Sequence, residues 1–546
     1  MVRKRLEFQS GGDIIEKPHF WQRRPEVGHP TRNGAPGNTM LDWKVCSRAR
    51  LSRDPRFDGK FYIGVLGSRV YCRPICPAPT AKEKNCRYFP TAAAAAEAGF
   101  RPCLRCRPES CPGTPAWQGT STTVSRALRL IGESGLEDGG VESLADRLGV
   151  GSRHLRRLFV RHLGATPIAV AQTRRLHFAK KLIDETQLPM QQVAVASGFG
   201  SVRRFNAGIL KVYHRTPSQI RRLARKTGLR SGGQYQFRLN FRPPYHWQAM
   251  LDFLAPRATP GVEAVDGGVY RRTISLNGAD GYFEVSLDDF QDALLLRIDF
   301  PDPCCLFGIV ERIRAMFDLN ADWASISKTL RSDGTLGASV KVNPGIRVPG
   351  CWNGFELAVR AILGQQVTVR GATSLAGRIV TTFGRMFDGP NALTHLFPSA
   401  EVLAKAKLES GGLTGARAET IRELARAVAS GKIKFEGVID SDDFLACLCE
   451  IPGIGPWTAQ YVAMRALREP DAFPSSDLGL LKALAIESSR ELEQRSEQWR
   501  PWRAYAAMYL WRMSGASRVR GEARMSRPRR DLRDVQAATP LGMTIA

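Results

Sequence analysis

The chain has 546 residues, 79 of them Lys or Arg against 52 Asp or Glu, for a formal charge of +27. At about 100–200 residues per domain, that length makes roughly three to five domains, and the positive excess suits a polyanionic partner such as nucleic acid. Twelve cysteines spread over so long a chain, with no apolar run of signal-peptide or membrane-spanning length, exclude a small secreted disulfide framework and predict an intracellular protein with no membrane partner.

Residues 1–40 are rich in Gly, Pro, Arg and Asn without hydrophobic periodicity and predict a flexible arm. A module over 41–115 follows. "FYIGVLGSRVY" alternates like two strands around a Gly-Ser turn and delivers Cys72, and "TAAAAAEAGF" reads as a short helix ending at Gly99, ahead of Cys103. Cys72 and Cys76 in "YCRPICP", and Cys103 and Cys106 in "PCLRC", therefore sit at element ends. Four soft ligands on tight turns suit one tetrahedral Zn2+. Arg69, Arg73, Arg87, Arg101, Arg105 and Arg107 crowd the cluster, whose charge with four thiolates is about −2. A zinc-held thiolate among arginines can meet a phosphate backbone and attack an electrophilic carbon there; a purely structural zinc knuckle is the alternative. Cys46, Cys86 and Cys111 fall outside the pair spacing and read as bystanders, with Cys86 a weak rival ligand.

The run from Phe61 to Glu109, with its Cys-Arg-Pro-x-Cys and Gly-Phe-Arg-Pro-Cys-x-Arg-Cys motifs, resembles the N-terminal domain of Ada-type bacterial alkylation-response proteins. The resemblance implies that Cys72, Cys76, Cys103 and Cys106 bind the zinc, and that Cys72 accepts a methyl group from methylphosphotriesters in DNA, stoichiometrically and irreversibly. Methylation would take the cluster from about −2 to about −1. At an effective dielectric near 20 and a separation of roughly 5–8 Å, one charge is worth on the order of 2–3 kcal/mol per phosphate before screening, so DNA affinity should rise.

Residues 118–228 read as almost entirely helical. "VESLADRLGVGSRHLRRLFVRHLG" predicts two helices around Gly149, with Leu144, Ala145, Leu148, Leu155, Leu158 and Phe159 inward and Arg153, His154, Arg156 and Arg157 outward. The pattern recurs in "MQQVAVASGFGSVRRFNAGILKVYH", with Val193, Ala196 and Phe205 inward and Arg203, Arg204 and Asn206 available to DNA, and a long helix connects the two. The pair, closing on "RTPSQIRR", resembles an AraC-type double helix-turn-helix, which implies base readout by the second helix of each unit.

After a Gly/Ser/Arg segment near 226–234, residues 235–340 alternate like strands; "PPYHWQAMLDFLAPRA" is similar to the N-terminal half of AlkA-type DNA glycosylases. No Pro-Cys-His, the acceptor motif of O6-methylguanine methyltransferases, occurs, and Cys304, Cys305, Cys351, Cys447 and Cys449 are expected to fill core space. In 341–516, "LCEIPGIGPWTAQYVAMRAL" sets Gly453 and Gly455 between two helical patterns, a turn that presents amide N–H groups to a phosphate. "AFPSSDLGL" follows, with Asp477 twenty-two residues beyond Gly455. Together with "FELAVRAILGQQVT" this resembles the helix-hairpin-helix glycosylases. The resemblance implies that Asp477 is the catalytic carboxylate and that Trp457, Tyr461, Trp511 and Phe253 wall the base pocket; Leu478 departs from the tyrosine seen beside the aspartate in one relative. An ionised carboxylate can stabilise the positive charge that builds on the sugar as the N-glycosidic bond breaks. No lysine lies between the hairpin and Asp477, which points to a monofunctional enzyme. No cysteine follows Cys449, so the iron–sulfur cluster of some relatives is not expected. Residues 517–546 are expected to be a basic, disordered tail.

The expected fold is thus multidomain and mainly α with α+β parts. It comprises a small zinc-binding α+β domain, an all-α tandem helix-turn-helix domain, an α+β AlkA N-terminal-like domain and an all-α helix-hairpin-helix glycosylase domain. The expected function is an alkylation-response fusion of the bacterial cytoplasm and nucleoid. Methylated Cys72 turns it into an activator acting with RNA polymerase at promoter DNA, and its second half excises bases such as 3-methyladenine from damaged double-stranded DNA. The alternative is a zinc-containing DNA-binding regulator whose glycosylase half is inactive.

Overall fold

The computed structural model describes residues 42–112, 122–133, 140–224, 235–436 and 441–525; the expected arm and the segment near 226–234 lie outside them. Helix α1 (Trp43–Leu51) is capped by Asp42, whose side chain accepts from the Lys44 N–H. Strands β1 (Tyr62–Val65) and β2 (Val70–Cys72) form the expected hairpin, and β3 (Cys86–Phe89) and β4 (Arg101–Pro102) complete a sheet ordered β3-β1-β2-β4, in which only β4 runs parallel to its neighbour. Helix α2 (Ala92–Glu97), capped by the Thr91 hydroxyl, buries an alanine face against this sheet.

Seven helices follow: α3 (Thr122–Glu133), α4 (Gly140–Arg147), α5 (Ser152–Leu163), α6 (Pro167–Glu185), α7 (Met190–Ala196), α8 (Val202–Tyr213) and α9 (Pro217–Ala224). The pairs α4–α5 and α7–α8 are the two helix-turn-helix units, and α6 connects them. Leu144, Ala145, Leu155, Phe159, Val193, Ala196 and Phe205 are buried, while Leu148 and Leu158 are only half-buried.

Strand β5 (Tyr235–Asn240) and helix α10 (Trp247–Leu254) precede β6 (Glu263–Asp266), β7 (Val269–Leu276), β8 (Ala279–Leu287) and β9 (Ala293–Asp299), which form an antiparallel sheet ordered β5-β9-β8-β7-β6. Helices α11 (Leu306–Met316), α12 (Trp323–Arg331) and α13 (Leu336–Val342) pack beside it. The helical remainder comprises α14 (Gly354–Leu363), α15 (Val369–Phe383), α16 (Ala400–Leu403), α17 (Gly415–Ala429), α18 (Ser441–Cys449), α19 (Pro456–Val462), α20 (Leu478–Leu484), α21 (Ser489–Ser496) and α22 (Arg503–Met525).

Two expectations change. Helix α22 runs on to Met525, so the tail expected from residue 517 begins as helix. Cys304, in the turn Pro303–Cys305, and Cys449, the last residue of α18, are exposed rather than core-filling, because turns and helix ends meet solvent; Cys305 is buried.

The modules also do not pack separately. Phe178 of α6 meets Phe237 of β5 at 6.5 Å and Phe307 of α11 at 4.9 Å, within one hydrophobic cluster that continues into the glycosylase-like part. Lys181 Nζ donates to Arg238 O at 2.6 Å. Arg242, 1% exposed, donates to Asp58 O at 2.7 Å and to Asn320 O at 2.8 Å. Lys60 pairs with Asp322 at 2.5 Å, with both side chains under 10% exposed. Charges this deeply buried persist only when paired, so these contacts hold the cysteine module in a fixed place against the second half.

Candidate functional site

The four cysteines come together through backbone geometry. Cys72 ends β2 opposite Ile63 of β1. A tight turn in which Cys76 N–H donates to Arg73 O carries the chain to Cys76. Cys103 is held beside β2 by its N–H bond to Tyr71 O at 3.0 Å, and a further turn brings Cys106 back. All four sulfurs lie within 4.8 Å of one another. Tetrahedral zinc–thiolate bonds of about 2.3 Å place sulfurs about 3.8 Å apart, so the donor set fits that ion in number, element and spacing. Hydrogen bonds from Cys106, Cys72 and Cys76 pull the Cys103 thiol far below the ordinary range, as expected where several sulfurs must share few protons.

The arginines around the cluster divide in a way that charge counting missed. Arg73 is buried, pairs with Asp58, and donates its backbone N–H to Cys106 Sγ at 3.4 Å. Arg107 pairs with Asp184 at 2.5 Å. These two are spent on the fold. Arg69 and Arg105 are exposed, while Arg69 and Arg87 lie over the rings of Phe100 and Phe89. Cys86 turns toward Lys82 O and Cys111 toward the Tyr62 hydroxyl, so neither joins the cluster.

In the helix-turn-helix units, Arg153, His154, Arg156 and Arg157 on α5, and Arg203, Arg204 and Asn206 on α8, are all exposed. Arg156 pairs with Glu142 at 2.7 Å across the first unit. Arg157 Nη2 donates to His154 Nδ1 at 3.0 Å.

The third arrangement centres on Asp477. It is the N-cap of α20: Oδ1 accepts from Gly479 N at 2.8 Å and Leu480 N at 3.1 Å. Trp511 Nε1 donates to the same oxygen at 2.9 Å, and Trp457 Nε1 to Oδ2 at 2.9 Å. Four N–H donors thus fix the carboxylate in place. Trp457 and Tyr461, four residues apart on α19, stack with ring centres 5.5 Å apart and planes 8° apart, and Trp511 stands 6.2 Å from both Tyr461 and Phe253. The residues expected around a base do converge here.

Sequence reading missed the supports. A Cβ on Gly479 would crowd the site, lying 3.0 Å from Asp477 Oδ1 and 3.3 Å from Trp511 Cδ1. Buried Arg465, one turn beyond Tyr461, donates to the Tyr461 hydroxyl at 2.7 Å and to the carbonyls of Pro349 and Gly350. Arg257 lies over Phe253, its guanidinium carbon 3.9 Å from the ring centre. Burial alone would push the Tyr461 phenol up, but Arg465 and Arg257 outweigh it and hold the phenol below the usual tyrosine value. The i, i+4 spacing of Tyr461 and Arg465 was a readable signal; nothing local pointed to Arg257.

The hairpin between α18 and α19 is braced from outside. Gly453 has φ +91°, and a Cβ there would sit 2.2 Å from Thr420 Oγ1. Gln365 Nε2 donates to Gly453 O and Thr458 Oγ1, both at 2.9 Å. Gly455, contrary to expectation, does not need glycine for its backbone, which is extended; a Cβ would meet nothing within 4 Å, so that surface is open for close approach from outside.

Three family models match the chain: the metal binding domain of Ada over residues 45–109, a helix-turn-helix domain over 144–223 and the AlkA N-terminal domain over 236–353. A Mycobacterium tuberculosis protein named "Probable bifunctional transcriptional activator/DNA repair enzyme AlkA" is 41% identical over 86% of this chain and 96% of its own length. The DNA-3-methyladenine glycosylase 2 of Escherichia coli is 32% identical over 51% of this chain and 98% of its own. Among solved structures, the 3-methyladenine DNA glycosylase of Archaeoglobus fulgidus matches with a TM-score of 0.47 at 23% identity, covering 51% of this chain and 98% of that one. Similar from the cysteine module through the glycosylase half to a relative it covers almost completely, the chain belongs to the family of bifunctional transcriptional activator/DNA repair enzymes of the AlkA type.

Proposed function

We propose that this protein is a DNA repair enzyme and transcriptional regulator with two separate chemistries. In the first, the sulfur of Cys72 attacks the methyl carbon of a methylphosphotriester in double-stranded DNA; the new S–C bond forms as the C–O bond breaks, and the phosphodiester oxygen leaves with the electron pair. Cys72, Cys76, Cys103 and Cys106 would hold a zinc ion, which would keep their sulfurs deprotonated at neutral pH. The transfer uses up the thiolate and is stoichiometric. The methylated protein then binds promoter DNA through α5 and α8 and acts with RNA polymerase as an activator.

In the second chemistry, an alkylated base such as 3-methyladenine leaves the stack and enters the aromatic site. The Asp477 carboxylate, held by two indoles and two backbone amides, stabilises positive charge on the sugar as the C1′–N bond breaks. Water completes the hydrolysis. The lack of a lysine between the hairpin and Asp477 that could form a Schiff base supports a monofunctional enzyme. The hairpin at Gly453 and Gly455 holds the DNA backbone while this happens.

The observation that carries the reading is the convergence of Trp457, Tyr461, Trp511 and Phe253 around one fixed carboxylate. The rival reading, an inactive glycosylase half, draws on the fact that Asp477 also caps a helix, which by itself accounts for an aspartate there. Crossing two variants on duplex DNA carrying both lesions separates them. Cys72→Ala should lose methyl uptake and keep base release, and Asp477→Asn the reverse. Base release by Asp477→Asn at the wild-type rate, or none from the wild type, contradicts the glycosylase reading; uptake persisting in Cys72→Ala contradicts the choice of sulfur.

A further inference from the structure

The loop between α11 and α12 engages three parts of the molecule with alternate residues. Asp318 accepts from the Tyr505 hydroxyl on α22 at 2.6 Å. Asn320 gives its carbonyl to Arg242 Nη1 at 2.8 Å, and its side-chain oxygen accepts from Arg314 at 2.6 Å. Asp322, at the head of α12, pairs with Lys60 of the cysteine module at 2.5 Å. Asp318 has φ +51°, a left-handed backbone that a non-glycine residue keeps only where its surroundings hold it. Neither the methyl transfer nor the base cleavage proposed above uses this loop.

Its contacts lead to both sites. Towards the sulfurs, Arg242 Nε donates to Asp58 O at 2.7 Å, and the Asp58 carboxylate pairs with Arg73. Arg73 lies between the two cysteine turns: its backbone N–H donates to Cys106 Sγ at 3.4 Å and its Nη1 to Cys106 O at 3.0 Å. The approach is tight, since Gly59 has φ +73° and a Cβ there would lie 2.2 Å from Pro112 O and 3.0 Å from Arg242 Nη2. Towards the carboxylate, Tyr505 is 5% exposed and lies on the helix of Trp511, whose indole donates to Asp477 Oδ1. Buried hydrogen-bonded and ionic groups cannot separate without stranding a polar partner, so a displacement at one end is passed along the chain of contacts rather than absorbed.

A metal on the four sulfurs cross-links the Cys72–Cys76 turn to the Cys103–Cys106 turn, and its loss lets these turns move apart with Arg73 between them. Arg73 then draws on Asp58, Asp58 on Arg242, and the loop loses its grip on Tyr505. Tyr509, one turn further along α22, is held separately by its bond to Asn343 O at 2.7 Å, so the helix loosens without coming away and the effect at Trp511 is partial.

We infer that the 318–322 loop couples base excision to the metal state of the cysteine module: the zinc-loaded module holds the loop, the loop holds α22, and loss of the metal slows base release by loosening α22. The inference rests on the zinc and glycosylase readings above. The two chemistries stay separate; only the packing is shared.

The test takes the full chain zinc-loaded, stripped by a chelator and reloaded with Zn2+, and follows hydrogen exchange together with single-turnover release of 3-methyladenine. On stripping, exchange should rise in peptides covering 318–322 and 503–511 and stay level in α15 and α17, whose apolar residues belong to a separate cluster. Base release should fall about 5-fold, the low end of typical coupling between sites, and Zn2+ should restore both. Tyr505→Phe cuts the far link while keeping the ring: stripping should still raise exchange at 318–322 but leave 503–511 and base release as they are in the loaded variant. Unchanged exchange at 503–511 in the stripped wild type, a rise spread evenly over the chain, or a Tyr505→Phe protein that responds to stripping as wild type does would each overturn the coupling. A chain that takes up no Zn2+ sinks the inference together with the zinc reading. If zinc-loaded wild type releases no 3-methyladenine, the glycosylase reading fails, and the exchange pattern alone then decides the coupling.

Discussion

The cysteine cluster and the Asp477 site are built in opposite ways. All four sulfurs come from residues 72–106, brought together by one hairpin, one short helix and two turns. The carboxylate site draws Phe253 from α10, Trp457 and Tyr461 from α19, Asp477 from the start of α20 and Trp511 from α22, across nearly half the chain. A site made by local turns keeps its geometry if its own small sheet folds. A site assembled from distant helices depends on the packing of the whole half. The two meet where Arg242 and the Lys60–Asp322 pair join the modules.

The comparison can be broken hardest at Asp477. Asn caps a helix about as well as Asp but turns an NH2 toward Trp457 Nε1, so Asp477→Asn should lose about 1–3 kcal/mol of stability while base release by the folded protein falls about 10²–10³-fold through loss of charge; base release that falls no further than the folded fraction would mean that the residue only caps. Next in size is Lys60→Met, which strands Asp322 buried and unpaired and should destabilise the chain by about 3 kcal/mol in denaturant melts, with methyl uptake intact in the fraction still folded. A loss below about 0.5 kcal/mol would show that the modules are not clamped there.

Asp318 supplies a pH test of the distributed site. Its carboxyl accepts from Tyr505 on α22, the helix that carries Trp511, and burial pushes it up to about 6 against the pull of Arg347 and Tyr505. The folded value lies above the unfolded value near 3.9. Asp318 therefore adds stability below about pH 4 and loses it as pH rises through 6, by about 3 kcal/mol. Asp318→Asn should flatten the melting temperature between pH 4 and 7, and an unchanged slope would contradict the assignment. The smallest effect should come from Trp511→Phe, which removes one of four donors to Asp477: base release should drop about 10-fold, or 1.4 kcal/mol, with zinc content unaffected.

The same contrast explains what the sequence revealed. Cys72 and Cys76, and Cys103 and Cys106, were readable because short spacing within turns fixes short distances. The two helix-turn-helix units were readable because Leu155, Phe159 and Phe205 keep helical period. Asp477 needed a family resemblance, since nothing in "PSSDLGL" says which tryptophans will face it. Arg257, Arg465 and Gln365 act through contacts across long sequence separations, which periodicity does not encode. Charge counting misjudged Arg73 and Arg107 for a related reason: their partners Asp58 and Asp184 lie in other elements. The packing of Phe178 on Phe237 and Phe307 escaped notice because each module was read as if it packed alone.

The central claim, two chemically separate sites on one chain, is tested most directly by following both products from a single duplex that carries methylphosphotriesters and 3-methyladenine in excess over protein. Methyl on the peptide containing Cys72 should plateau at one per chain while free 3-methyladenine keeps accumulating over many turnovers. Methyl on another cysteine, or base release that stops when the methyl plateau is reached, would contradict it.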